Sequence, residues 1–341
     1  MPLSDTLRVQ LGHGSGGKLS AQLLRDRFLP RFDNPILARL TDAAVVSVAG
    51  GEVAISTDTF VVSPLEFPGG NIGALAVHGT LNDLAMMGAR PRHLAAGFVL
   101  EEGLGFDLLD RIIATMADAV REAGVALVTG DTKVVERGKA GDGLFITTTG
   151  IGDLEPGFRP SPDRAAVGDL VLVSGPIARH GMAIMAAREG LGFETTIESD
   201  TACLVPLVER LRERVGESVH VLRDPTRGGL ASALNEIAQV AGVGVVLDER
   251  ALPVPGPVFA ACEILGLDPL YVANEGVLVA LVDAKAAEAA LGALQGHPLG
   301  AEAALVGKVV RDHPRMVVMR TGLGGSRVVD LLPGDQLPRI C

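Results

Sequence analysis

From Ala43 onward, short apolar runs alternate with stretches of helical period. AAVVSVAGGEVAIST (43–57) holds two β-branched runs joined by Gly50-Gly51, the pattern of a hairpin. NIGALAVHGTLNDLAMMGA (71–89) has helical spacing, and HLAAGFVL (93–100) reads as a strand. FDLLDRIIATMADAVREAG (106–124) is amphipathic and stops at a glycine, which predicts a helix. VALVTG (125–130) and GLFITTTGIGD (143–153) predict strands. EPGFRPSPDRAAVGD (155–169) is rich in Pro and Gly and reads as a linker.

The second half begins again in the same manner. DLVLVSG (169–175) predicts a strand, and HGMAIMAAREG (180–190), residues 201–215 and GLASALNEIAQVAG (229–242) predict helices. GVGVVLDE (242–249), EGVLVALVD (275–283), VGKVV and RMVVMR predict strands, with a helix over AKAAEAALGALQ (284–295). Both halves mix the two element types. The expectation is an α/β chain of two domains, 1–155 and 156–330, followed by a tail, 331–341. The tail, LLPGDQLPRIC, has two prolines, a glycine and no periodicity, so it reads as an extended arm. Ten extended residues reach roughly 33–36 Å, enough to carry a terminal thiol into a pocket elsewhere.

Composition narrows the classes. Hydrophobic residues at 48% against 21% charged supply a sizeable core. Aromatics at 3% do not suit a base-stacking surface, and a net charge of −11 without a Lys/Arg cluster argues against a nucleic-acid partner. No apolar run reaches about 18 residues, which argues against a membrane span. The start, MPLSDTLRVQL, lacks the regions of a signal peptide, so a cytoplasmic protein is expected. Three cysteines form no CxxC pair, and the seven histidines show no metal spacing. Cys203 and Cys262 lie in helix-like apolar periodicity and are expected as buried, inert thiols. Cys341, three residues after Pro338, has no such context.

Candidate chemistry follows. GHGSGGK (12–18) fits GxxxxGK, but Leu19 stands where a phosphate loop needs Ser or Thr. A glycine-rich turn before the helix LSAQLLRDRF is the better reading. Asp42, Asp58, Asp83 and Asp131 lie in the first half, and Asp58 and Asp131 directly follow strand-like runs, where α/β folds build ligand sites. Together they suit Mg²⁺ with nucleotide phosphates; singly, each is explained by a turn or helix cap. Lys133, after Asp131 and Thr132, is placed to neutralise phosphate charge or simply to meet solvent. In RDPTRGG, Asp224 and Thr226 open a helix, where anion binding and capping are equally open. Glu275, in ANEG at the start of a strand, is a candidate base.

HGSGGK, FPGGNIGALAVHGTLNDLAMMGA, VTGDTKVVE, RDPTRGGLASALNEIA, VANEG and the terminal PRIC together resemble the HypE family of hydrogenase maturation proteins. The likeness is collinear over nearly the whole chain, and PRIC is its most specific element. The other blocks are shared more loosely with aminoimidazole ribonucleotide synthetase, selenophosphate synthetase and thiamine-phosphate kinase. The resemblance implies an aminoimidazole ribonucleotide synthetase-like α/β fold. Its N-terminal domain completes an intersubunit β-barrel in a homodimer, and its C-terminal domain is an α/β sandwich. It implies Mg²⁺-ATP held by Asp42, Asp58, Asp83 and Asp131, with Asn82 and Thr132 beside them. Lys133 and Glu275 would lie near a modified Cys341 and assist deprotonation. The implied partners are HypF, which carbamoylates the terminal cysteine, and the HypC–HypD complex. The implied reaction is ATP-dependent dehydration of that thiocarboxamide to a thiocyanate, the source of cyanide for the hydrogenase iron. Thr41 stands where relatives often carry a second acid, which leaves the number of metal ligands open. Two rivals stand beside this reading: another ATP-using enzyme of the superfamily, and a non-catalytic protein whose tail docks on a partner. The first leaves the terminal cysteine unexplained, and the second needs no ATP hydrolysis.

Overall fold

The computed structural model describes residues 9, 11–14, 17–32, 34–138, 143–154, 156–190, 197–331, 337 and 339–341. Helical chain comes first: α1 (Lys18–Leu23), a π turn at Leu24–Phe28 and α2 (Leu29–Phe32). Of the glycine-rich segment before it, Ser15 and Gly16 lie outside the described residues. The expected hairpin forms as β1 (Ala44–Val48) and β2 (Gly51–Phe60), turning at Gly50 with φ of 100°.

A short ribbon, β3 (Glu66–Phe67) and β4 (Gly70–Asn71), leads into α3 (Ile72–Met86). Asn71 caps that helix: its Oδ1 accepts from the N–H groups of Gly73 and Ala74. Then follow β5 (Ala89–Glu101), α4 (Phe106–Glu122), β6 (Ala126–Val135) and β7 (Leu144–Leu154). They form one sheet in the order β1-β2-β7-β5-β6, antiparallel except where α4 crosses over to make β6 parallel to β5. Nearly all of α3 is buried. Its small residues permit this: a Cβ on Gly73 would sit 2.4 Å from the Ile112 carbonyl of α4, and one on Gly150 of β7 only 2.8 Å from Leu84.

The second sheet is built from β8 (Leu170–Val173), β9 (Val219–Arg223), β10 (Gly244–Asp248), β11 (Val279–Val282), β12 (Ala304–Val310), β13 (Val317–Arg320) and β14 (Ser326–Val329). Its order is β14-β13-β10-β12-β8-β11-β9. Between the strands run α5 (Arg179–Glu189), α6 (Val205–Val215), α7 (Gly229–Ala241), α8 (Gly256–Leu265) and α9 (Ala287–Gln295). In β11, Val279 and Leu281 face a core with α7, while Ala280 and Val282 face another with α6 and α9. Strands buried on both faces read as unbroken apolar runs, as this one does. Ala85 and Met86 of α3 join the second of these cores, so α3 is wedged between the two sheets.

The linker segment is packed: Phe158 is buried beside Ala85 and Met86, and Ser161 N–H donates to the His220 carbonyl. The tail's end is packed as well. Ile340 is 3% exposed and sits with Phe60, Val62, Phe67 and Ile184; residues 332–336 and 338 of that arm lie outside the described residues.

Candidate active site between the domains

Three carboxylates converge where the domains meet. Asp42 lies just before β1, Asp83 in the last turn of α3, and Asp224 directly after β9. One oxygen of each lies within 4.8 Å of the others. Ser56 of β2 donates to Asp83 Oδ2 at 2.6 Å, and Arg223 Nε meets Asp42 Oδ1 at 2.9 Å. Arg223 also pairs with Glu236 of α7. Burial raises all three carboxyls. Asp42 is pushed up to about 8 against the pull of Arg223, and Asp224 to about 6, again against Arg223. Asp83 is held well above the carboxylate range by burial and then by the charges of Asp224, Asp42 and Asp58.

This donor set fits a magnesium ion. Magnesium takes hard carboxylate oxygens together with phosphates. Here three such oxygens face one another, and Asp224 Oδ2 is buried without a hydrogen-bond partner among the described residues. Without a cation, each charge raises the free-energy cost of the next.

Glu275 adjoins this centre. It is 3% exposed, and its Oε1 is buried with no partner among the described residues. Burial, then Asp224, Asp58 and Asp200, hold its carboxyl well above the usual range. Its backbone is fixed from beneath: Glu275 N–H donates to Asp200 Oδ1 at 2.9 Å. Gly276 is required there, since a Cβ would lie 1.7 Å from the Asp200 carbonyl.

The terminal thiol lies against Glu275 within hydrogen-bonding reach. Burial first, then the Glu275 charge, push the Cys341 thiol well above its ordinary value; Arg227 opposes them. Arg227, on the turn before α7, feels Cys341 more than any other group and donates to the Gly14 carbonyl at 3.3 Å. The glycine-rich segment therefore approaches this centre through backbone.

The sequence candidates fall into three groups. Asp42, Asp83, Glu275 and Cys341 come together, and Asp58 is near enough for its charge to act on Glu275, Asp83 and Asp224. Asn82 is buried beside Asp83, but its side chain is spent on backbone: Nδ2 donates to the Ala202 and Glu275 carbonyls, and Oδ1 accepts from Leu204 N–H at 2.7 Å. Asp131, Thr132 and Lys133 stand apart on the edge strand β6, where every residue is exposed; Asp131 and Lys133 pair with each other at 2.7 Å. Cys262 is buried and Cys203 part-buried, and burial pushes both thiols up to about 11, as inert cysteines require.

Arg223, Arg227, Asp200, Ser56 and His180 were not singled out from the sequence. RDPTRGG was the available signal for the two arginines. Asp224 does not cap α7, whose N-cap Gly228 makes no side-chain bond; it points into the acidic centre instead.

Two domain models match, the N-terminal domain of AIR synthase related proteins over residues 40–154 and their C-terminal domain over 166–319. The chain is thus a two-domain α/β protein of the AIR synthase related class. Carbamoyl dehydratase HypE of Cupriavidus necator is 56% identical over 335 residues, covering 98% of this chain and 95% of the relative. That of Escherichia coli is 48% identical over 339 residues, covering 98% and 99%. The chain belongs to the HypE family. Among solved structures, a HypE–HypF complex matches with a TM-score of 0.86 at 46% identity, covering 91% of this chain and 99% of the other. A HypE in complex with ATP matches with a TM-score of 0.82 at 51% identity, covering 96% and 98%.

Proposed function

We propose that this protein dehydrates the S-carbamoyl group of its own Cys341 to a thiocyanate, using ATP, in hydrogenase maturation. One observation carries the reading: a C-terminal thiol seated against the carboxyl of Glu275, beside three converging aspartates. The thiol sulfur stands where the sulfur of the thiocarboxamide would lie.

An amide oxygen is a poor leaving group until it is phosphorylated. The carbonyl oxygen of the thiocarboxamide attacks the γ-phosphorus; the new O–P bond forms, and the bond to ADP breaks. One N–H proton leaves with this step. The C–O bond then breaks as the second N–H proton leaves, giving S–C≡N and inorganic phosphate. Glu275 is the base at the sulfur end: its raised affinity for protons makes it a strong acceptor once ionised. Arg227 offsets negative charge there. Asp42, Asp83 and Asp224, with Asp58 nearby, would hold magnesium. When bound, that ion supplies positive charge against the phosphates of ATP.

Lys133, Asp131 and Thr132 fit this scheme only across a homodimer. An edge strand exposed along its whole length, with Val134 67% and Val128 58% exposed, is a liability in a lone chain. A second copy against this edge and face would close the barrel and bring these residues to a site. HypF is the proposed carbamoyl donor, and HypC–HypD the proposed acceptor of the cyano group. The test is mass spectrometry of the C-terminal peptide after incubation with HypF, carbamoyl phosphate and ATP. Gain of one carbamoyl group followed by loss of one water is expected; carbamoylation that persists in ATP would overturn the proposal.

A further inference from the structure

The last residues of the chain are held mostly by their backbone. Arg188 of α5 donates through Nη2 to the Arg339 carbonyl at 2.7 Å and, through Nε and Nη2, to the Ser63 carbonyl at 3.0 and 2.8 Å. Ser63 N–H also points at the Arg339 carbonyl, at 3.3 Å. One guanidinium thus ties the tail to the loop after β2. Planar forked donors suit such a bridge better than an ammonium does.

His180, about two turns earlier on α5, makes the second contact. Its Nε2 lies 2.9 Å from the Ile340 carbonyl, and its Nδ1 lies 2.8 Å from Ser199 Oγ. A carbonyl only accepts, so Nε2 carries the proton. Ser199 Oγ accepts from Thr201 N–H at 3.1 Å, which frees its own proton for Nδ1. The tautomer is fixed by this chain of bonds. The ring is wholly buried and stands edge-on to Phe67, with centroids 5.6 Å apart.

Side chains complete the seat. Ile340 fills the apolar cluster of Phe60, Val62, Phe67 and Ile184, and Leu337 lies over Gly181, where an added Cβ would come within 3.2 Å of it. Arg339 takes a φ of 55°, unusual for a residue other than glycine. The chain therefore turns at Arg339, presenting two successive carbonyls to α5 while Ile340 points inward and Cys341 reaches Glu275.

We infer that His180 and Arg188 are positioning residues that clasp the tail, with Ile340 as anchor, and so set the share of chains whose Cys341 is at Glu275 rather than released to a modifying partner. This regulates the site proposed above and rests on that reading only for its catalytic arm. A clasp that reads backbone holds the tail whatever group the sulfur carries. Neither Arg188 nor Ile340 belongs to the acidic centre.

The test uses the full chain and iodoacetamide, with peptide mapping of all three cysteines. In Ile340→Ser and in Arg188→Ala, alkylation of Cys341 should rise at least about tenfold, the scale set by one buried aliphatic side chain or a pair of charge-assisted bonds. Cys262 should stay protected, which certifies the fold. Arg188→Lys should restore part of the protection. In the same variants carbamoylation by HypF should not slow, while ATP-dependent water loss should fall by a similar factor. Unchanged Cys341 alkylation in both Ile340→Ser and Arg188→Ala would overturn the clasp. His180→Asn should likewise expose Cys341 to alkylation; should it instead unfold, with Cys262 also alkylated, the Ile340→Ser and Arg188→Ala variants still decide. Should wild-type protein never lose water, the proposed reaction fails, yet the alkylation rates still decide the clasp.

Discussion

Ser56 Oγ lies 2.6 Å from Asp83 Oδ2, joining the middle of β2 to the last turn of α3. That bond aims one carboxylate of the acidic centre from its own domain, while Asp224 arrives from the other. Asp224→Asn should remove a charge that nothing in the described protein offsets directly at Oδ2. Metal-free protein should then gain stability on the order of 1 kcal/mol, from relieved burial of charge. Mg²⁺-ATP should raise the melting temperature of the parent, and the same variant should lose that rise. A variant still stabilised by Mg²⁺-ATP to the same extent would remove Asp224 from the metal site.

Glu275→Gln keeps the shape of the side chain and removes the proposed base. Water loss from the carbamoylated tail should slow by about 10²–10⁴-fold, the usual yield of a positioned base. Carbamoylation by HypF and ATP affinity should hold. Single-turnover mass spectrometry measures the first and equilibrium dialysis the last; an unimpaired dehydration rate rejects the role.

Gly276→Ala should be damaging for a backbone reason. Its Cβ would lie 1.7 Å from the Asp200 carbonyl, so the loop that carries Glu275 must shift. A loss on the order of 3 kcal/mol is expected, measured by urea unfolding. Gly105→Ala, with no atom within 4 Å of the added Cβ, is the control and should change little. Equal stabilities for the two variants would contradict the packing described.

Asn82→Ala should act on the fold rather than on the nucleotide. It strands Leu204 N–H and the Ala202 carbonyl, at about 1–3 kcal/mol per buried orphan. ATP affinity, measured where the variant is still folded, should stay within a few-fold of the parent. A large affinity loss without a stability loss would place the amide at the nucleotide instead.

Acid should unfold the protein in part through buried histidines. Burial lowers His78 and His180 to about 4, from the 6.5 expected of an open chain. Because the unfolded chain binds the proton more readily, the benefit of a neutral ring is whole above pH 6.5 and is lost as pH falls through 4. Each contributes about 3 kcal/mol over that window. Asp200 and Asp224, raised to about 6, act in the opposite sense, so the difference between the parent and His78→Gln isolates the effect. That difference should shrink by about 3 kcal/mol between pH 7 and pH 4, and a flat difference would refute it.

If the exposed strand β6 pairs with a second copy, Val134→Glu should convert a dimer to monomers and abolish dehydration. Analytical ultracentrifugation checks the first and mass spectrometry the second. A dimer undisturbed by Val134→Glu would direct Lys133 and Asp131 away from the site.

The elements that the chain announces most plainly are those that local physics controls. The amphipathic α4, the Gly50-Gly51 hairpin and the two-faced strand β11 each follow from side-chain periodicity or turn chemistry within about a dozen residues. VHVLR and SRVV, now β9 and β14, were too short to stand out, and both take their places from neighbours already in the sheet. Glu275 was legible as an acid at the start of a strand, and Asp42 and Asp83 only as aspartates of the first half; the strand-end signal pointed to Asp58 and Asp131, and Asp131 stands apart on exposed β6. Asp224 was visible in RDPTRGG but indistinguishable from a cap, since a carboxylate at a helix start serves either purpose.

Period and turn residues were enough to indicate two α/β halves, and the blocks from HGSGGK to the terminal PRIC to indicate a family and to single out Cys341 as a candidate. Only folding decided which charges share a space. Residues 42, 83, 224, 275 and 341 meet because α3 is wedged between the sheets and α5 grips the tail. Such meetings depend on distances across the chain, and no local pattern encodes them.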